Sequence, residues 1–480
     1  MEAVTGVARA RLLIGGEWQD GHGDALTVAD KFTGEAIGTV ACADRAQIDE
    51  AVAAARSSFD RNTLDPQTRY ALLQKTAVLV ERHREEFAGL ITAEGGLPIT
   101  DARAEVDRAI QTLVVAGEEA KRLVGEMVPI EGAPAQAHRM AFTIRVPRGV
   151  VCGITAFNSP FNMVCHKVAP ALASGNVVVI KPSELAPLSA TRLFELLLEA
   201  GFPPGHLNLV HGRGGDLGPW LVENAGIDFY TFTGSSRVGM WLRERAGLRP
   251  VVLELGSISP TIVCPDADLD RAAGRCAASA FRRAGQVCTS TQRLLVDRAI
   301  EPAFTDRLVR ATAALRVGDP RDPQTDVGPM ISEQEARRAE TWIQEALDGG
   351  ATLVHGGRRD GALLQPTILA NVAPHQRIAC EEAFAPVVAI IPFATLDEAI
   401  EQANAGPFGL AAGIFSRDIV RVMGAARRLH VGLLHVNDAS SSRVDMMPFG
   451  GVKQSGSGRE GPRYAMQEMT EERLITFNLA

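Results

Sequence analysis

The sequence predicts an α/β protein with a doubly wound parallel-sheet domain for a nucleotide, a second α/β domain and a small β arm. Three observations carry this reading. Short β-branched runs alternate with helical spacings from 150 to 254, as parallel strands joined by crossover helices do. A second α/β stretch follows from about 257 to 445. Between helical residues 67–125 and the first α/β stretch lies a different kind of segment at 126–148: Pro129, Gly132 and Pro134, then the alternating Phe142-Thr143-Ile144-Arg145-Val146. It reads as an extended arm or hairpin that leaves the domain and returns.

Taken in order, Leu12-Leu13-Ile14 is a short strand turned by Gly15-Gly16 toward Trp18, with a helix after it. Leu72, Leu73, Val78, Leu79 and Phe87 recur at helical spacing within 67–125. Strands are expected at 150–155, 176–180, 207–210, 229–232 and 251–254, with helices at 162–173, 187–200, 217–225 and 235–246. Ligands of such sheets bind beyond the carboxyl ends of the strands. The tail at 469–478 is a β segment behind a glycine-rich loop.

The 480 residues suffice for two or three domains with large apolar interfaces. A composition of 46% hydrophobic and 22% charged residues is that of a soluble globular enzyme. The net charge of −8, with no basic stripe, argues against nucleic acid. No apolar run approaches the roughly 20 residues of a membrane span. Residues 1–16 hold basic side chains but no apolar core of signal length. The seven cysteines are irregularly spaced, without CxxC or a Cys/His zinc spacing. Free thiols in a cytoplasmic, reducing compartment and no bound metal are therefore expected.

Three strings carry chemistry: Phe157-Asn158-Ser159-Pro160-Phe161, Glu254-Leu255-Gly256-Ser257 and Gly285-Gln286-Val287-Cys288. They offer a carboxamide, a carboxylate and a thiol. These are an oxyanion donor, a base and a nucleophile for attack on a carbonyl carbon. Most free cysteines are buried apolar thiols, which suits Cys152, Cys165, Cys264 and Cys276. Cys288 differs in its polar setting of Gly-Gln before and Thr289-Ser290 after.

On the nucleotide side, 177–180 is a buried strand that delivers Lys181 and Glu184 to its carboxyl end. A carboxylate there accepts hydrogen bonds from ribose hydroxyls and repels a 2′-phosphate, favouring NAD and leaving NADP open; a solvated salt bridge is the alternative. Phe232-Thr233-Gly234-Ser235 runs into a helix whose first N–H groups suit a phosphate. The only GxGxxG, at 456–461, follows no strand of a βαβ unit and reads as a tight loop.

With Glu382-Ala383-Phe384-Ala385-Pro386 and Pro448-Phe449-Gly450-Gly451-Val452-Lys453-Gln454-Ser455-Gly456, these strings stand in the order of one family. The chain resembles the NAD(P)-dependent aldehyde dehydrogenase superfamily over nearly its whole length. The resemblance implies Cys288 as nucleophile, Asn158 as oxyanion donor, Glu254 as the base that activates water, and Lys167 and Glu460 as a proton path. It implies Lys181 and Glu184 at the adenosine ribose, Ser235 at the pyrophosphate, Glu382 at the nicotinamide ribose, Phe384 against the nicotinamide side, and Phe157, Ser183 and Gly234 as further cofactor-binding residues. It implies an NAD-binding domain of 1–122 and 142–256, a catalytic domain of 257–446, and an oligomerisation element of 123–141 and 464–480 that makes a homodimer or homotetramer. Ser257, Ala385 and Arg283 depart from the family pattern without removing a reacting group. The stretch from Val436 to Pro448 looks like the branch of lactaldehyde, non-phosphorylating glyceraldehyde-phosphate and phosphonoacetaldehyde dehydrogenases. That implies a small, polar or anionic aldehyde, with Arg293 and Arg443 as candidates to meet the anion. A CoA-acylating relative, and a non-catalytic binding or structural protein on the same fold, are the alternatives; Glu254 argues against the first and the complete Cys288, Asn158 and Glu254 set against the second.

Overall fold

The computed structural model describes residues 8–61 and 63–479. Residues 1–7 of the segment read as lacking a signal core, and Ala480 of the tail, lie outside the described residues.

A run such as Val177–Lys181, buried at every position, can only sit inside a sheet covered on both faces. It is a central strand of an eight-stranded sheet. Val150–Ile154 lies beside it, and the parallel order continues through Phe229–Thr233 to Val251–Glu254 on one side and through Leu207–Leu209 on the other. Chain order therefore reverses around Val150–Ile154, which makes the crevice beyond its carboxyl end the switch point where ligands bind. Leu12–Ile14 and Glu17–Gln19 extend one edge, and Gly456–Ser457 closes the other. The two-residue period is visible in the core. Val178 and Ile180 pack with Phe87, Phe161 and Phe194 on one face. Val177 and Val179 pack with Cys152, Tyr230 and Leu253 on the other.

The helices at Asn162–Ala173, Leu188–Ala200 and Ser236–Arg245 match their expected spans within a residue or so. The helical stretch 67–125 is three helices, Pro66–Arg82, Arg84–Gly95 and Ile99–Ala120, divided at His83 and at a left-handed Gly96. The helix expected to begin at 217 begins at Gly214 instead. Its glycines look like loop residues, but the Glu184 carboxylate accepts the Gly214 N–H at 3.2 Å and holds the first turn.

The second sheet has seven strands, with Pro260–Val263, Arg293–Asp297 and Val387–Phe393 adjacent and parallel at its centre. The arm is a three-stranded sheet. Arg139–Pro147 pairs antiparallel along its length with Thr470–Asn478, and Met127–Val128 flanks it. This strand runs unbroken through 142. No helix among the described residues is long and apolar enough to cross a membrane.

Candidate active site

The cleft lies where the carboxyl ends of the first sheet face the loops of the second. Glu254 ends its strand there. The glycine-rich loop at 456–461 is bound to that strand, pairing Gly456 with Glu254 and Ser457 with Leu253. Gly456 has φ +139°, and a side chain on it would run into the Leu253 carbonyl oxygen. Close backbone approach, not phosphate binding, thus accounts for these glycines.

Glu254 is buried, and neither carboxylate oxygen has a hydrogen-bond partner among the described residues. Burial pushes its pKa well above the ordinary range, and the nearby Glu460 charge adds to this. Cys288 is half-buried beside Phe449 and Leu410. Burial pushes its thiol up to about 12, and the charge of Glu254 acts in the same direction. The other cysteines, apart from the partly exposed Cys380, are buried and all seven are free.

Asn158 is buried, 8% exposed. Its main-chain oxygen accepts a hydrogen bond from Arg283 Nη1 at 2.9 Å. Arg283 stands four residues after Ser279 and immediately before the left-handed Ala284 and Gly285 that lead to Cys288. Lys167 is fully buried. Its ammonium donates to Glu460 Oε1 at 2.7 Å and to Thr231 Oγ1 at 3.0 Å. Arg443 donates to Glu460 Oε2 at 3.0 Å and lies 3.9 Å over the Phe449 ring. These two cations hold the Glu460 carboxyl well below its ordinary range despite burial.

On the nucleotide side, Lys181 pairs with Glu184 at 2.8 Å. Ser235 caps the helix Ser236–Arg245, its hydroxyl accepting the Val238 N–H at 3.4 Å, with Gly234 just before it. Glu382 accepts the Ser257 N–H at 2.8 Å, and a side chain at Gly256 would strike the same carboxylate. Burial pushes Glu382 up to about 7. Ser257, Gly285, Val287, Glu382, Phe384 and Ala385 line one recess. Phe384 has φ +46° and meets Phe157 edge-on at 5.9 Å. A buried carboxylate, glycines that cannot carry a side chain, and a capped helix start fit a dinucleotide with ribose hydroxyls and a pyrophosphate.

Arg293 is corrected by the structure. Its guanidinium is buried at the start of a central strand and donates to the carbonyls of Ile258, Gln402 and Ala403, at 3.0 to 3.2 Å. These bonds make it a cap on a helix end. Sequence reasoning also missed several groups. Arg282 is half-buried, has no carboxylate partner among the described residues, and donates to the Ser441 hydroxyl at 3.4 Å. Burial, with Arg283 beside it, pulls it down to about 10. The Ser441 hydroxyl also accepts from Thr289, the neighbour of Cys288. Asp445 gathers Arg108, Asn162 and His166, which pins the Arg443 loop to two helices of the first domain. The run of two arginines before Gly285 was the one visible signal for Arg282; Asp445 had none.

The model of the family described as "Aldehyde dehydrogenase family" matches residues 18–475. The chain is 48% identical, over the full length of both, to a 3-sulfolactaldehyde dehydrogenase of Priestia aryabhattai. It is 42% identical to aspartate-semialdehyde dehydrogenase 1 of Pseudomonas canavaninivorans, over 95% of this chain and 97% of that one. Among solved structures it is similar to the NADP-dependent glyceraldehyde-3-phosphate dehydrogenase of Bacillus halodurans C-125 complexed with NADP, with a TM-score of 0.96 and 36% identity over 98% of this chain and 100% of the other. With family match, fold and cleft in agreement, the chain belongs to the aldehyde dehydrogenase family and is an NAD(P)-dependent oxidoreductase acting on aldehydes.

Proposed function

We propose that this enzyme oxidises a small anionic aldehyde to its carboxylic acid through a covalent thioester on Cys288. The observation that carries this reading is the unpartnered Glu254 carboxylate in one cleft with the Cys288 thiol, whose charges act on each other. A thiol held up to about 12 is not a thiolate at rest. Glu254, with both oxygens free and its basicity raised by burial, takes the thiol proton as sulfur adds to the carbonyl carbon. The Asn158 carboxamide and the Cys288 N–H meet the oxyanion. The bound dinucleotide supplies hydride acceptance. Glu254 releases the thiol proton and then takes one from the water that attacks the thioester; the carbon–sulfur bond breaks, the acid leaves and the Cys288 sulfur takes a proton back. Lys167 and Glu460 offer a path for the released protons out of the cleft.

Lys181, Ser183 and Glu184 would hold the adenosine ribose, Gly234 and Ser235 the pyrophosphate, and Glu382 the nicotinamide ribose, with Phe384 and Phe157 beside the ring. Glu184 favours NAD. The anionic tail is met by Arg443 and by Arg282, whose hydrogen bond goes to a hydroxyl and not to a carboxylate. Three of the relatives are named for aldehydes that carry a sulfonate, a carboxylate or a phosphate, while others are named for the uncharged lactaldehyde. The arm and tail make a homo-oligomer, and the enzyme works in the cytoplasm.

The test is a panel of matched anionic and uncharged aldehydes, read as NADH or NADPH formation, with the acid product assayed without CoA. Anionic aldehydes are expected to show the higher kcat/KM, and Arg282→Ala to remove that advantage while sparing uncharged ones. Equal kcat/KM for both classes in the parent enzyme would reject the anionic substrate, and acid formed only with CoA would reject hydrolysis by Glu254.

A further inference from the structure

We infer that Arg283, through a buried pair with Glu105, is a positioning residue that locks the oxyanion donor to the nucleophile turn; this rests on the roles of Asn158 and Cys288 proposed above.

Arg283 is 7% exposed and Glu105 is fully buried. Arg283 Nη1 lies 2.9 Å from Glu105 Oε2 and donates to the Asn158 carbonyl at 2.9 Å. The other oxygen of Glu105 accepts the N–H groups of Phe161 and Asn162, at 3.0 and 3.2 Å. The segment 158–162 is thus held at both ends by one ion pair. The guanidinium belongs to a turn in which Arg283, Ala284 and Gly285 are all left-handed, with φ of +53°, +52° and +68°. Residues other than glycine avoid that conformation unless their surroundings impose it. The Gln286 amide completes the turn, donating to the Arg283 carbonyl at 3.3 Å and accepting the Ile331 N–H at 2.9 Å. Cys288 follows two residues later.

Stability alone does not explain the pair. Apolar replacements of buried ion pairs are often as stable, and Arg283 Nε is left without a partner. What the pair does supply is a fixed distance between two loops far apart in sequence. A donor misplaced by about 1 Å loses on the order of a hundredfold in rate.

The test uses the full-length enzyme carrying Arg283→Met with Glu105→Gln, so that no lone charge stays buried. We expect kcat to fall about 10- to 100-fold, with KM for the aldehyde and the equilibrium Kd for NADH, read by fluorescence, unchanged within about threefold. Asn158→Ala, which costs about 10²–10³-fold in the parent, should cost less than about tenfold more in this background, because the donor is already misplaced. Arg283→Lys keeps the charge against Glu105 but not the forked reach, and is expected to give an intermediate kcat with an unchanged Tm. An unchanged kcat in either folded variant, or losses that multiply fully with those of Asn158→Ala, would overturn the inference. Turnover by Cys288→Ala would instead overturn the thiol mechanism, whatever the clamp variants do.

Discussion

Glu254 and Glu460 share one cleft and are equally buried, each 3% exposed, yet they titrate in opposite directions. Glu254, at the end of its sheet strand, has no partner on either oxygen and is pushed up. Glu460, in the glycine-rich loop bound to that strand, receives Lys167 and Arg443 and is held down. Burial disfavours charge at both sites; the cations reverse it at one. The two carboxyls also act on each other, because the permanent charge of Glu460 makes Glu254 a better proton acceptor. One region stores a fixed ion pair, and the other keeps a carboxyl free to change state.

The sharpest way to break this contrast is Glu254→Gln. A general base contributes about 10²–10⁴-fold, so steady-state turnover should fall by that range. Single-turnover NADH formation should fall with it, because the same carboxylate takes the Cys288 thiol proton before hydride can leave. Undiminished turnover would remove Glu254 from the chemistry. Next in size is Lys167→Met. Breaking one arm of a buried pair costs about 3 kcal/mol, which a urea unfolding midpoint at neutral pH would show; an unshifted midpoint would mean that Arg443 alone compensates Glu460. The smallest expected effect is in the pH–rate profile. Glu254 acts as a carboxylate, and its pKa is raised, so the rate climbs as pH rises and the proton leaves. Glu460→Gln removes the like charge and leaves Lys167 and Arg443 to favour ionised Glu254. The rising limb should therefore move to lower pH. A shift to higher pH would contradict the assigned coupling.

The elements were legible because their signals are local. The span 162–173 read as a helix is Asn162–Ala173, and 251–254 read as a strand is Val251–Glu254. Period-two runs, helical spacing and caps involve neighbours a few residues apart. The short strings around Asn158, Glu254 and Cys288 were legible in the same way, as residue types in a fixed order. Arg293 shows the limit. Its charge suggested an anion site, while its surroundings, set by Ile258, Gln402 and Ala403, make it a cap.

By itself the sequence determined the alternation of strands and helices, the family, and which side chains bring a thiol, an amide and a carboxylate. Only the tertiary structure decided that Arg283 would reach Asn158, that Asp445 would gather residues 279 and 337 positions away, and that Glu254 would stay unpaired while Glu460 did not. The physical reason is range: a charged group's state depends on the solvent removed and the charges brought close, and both are set by segments that meet only when the chain has folded.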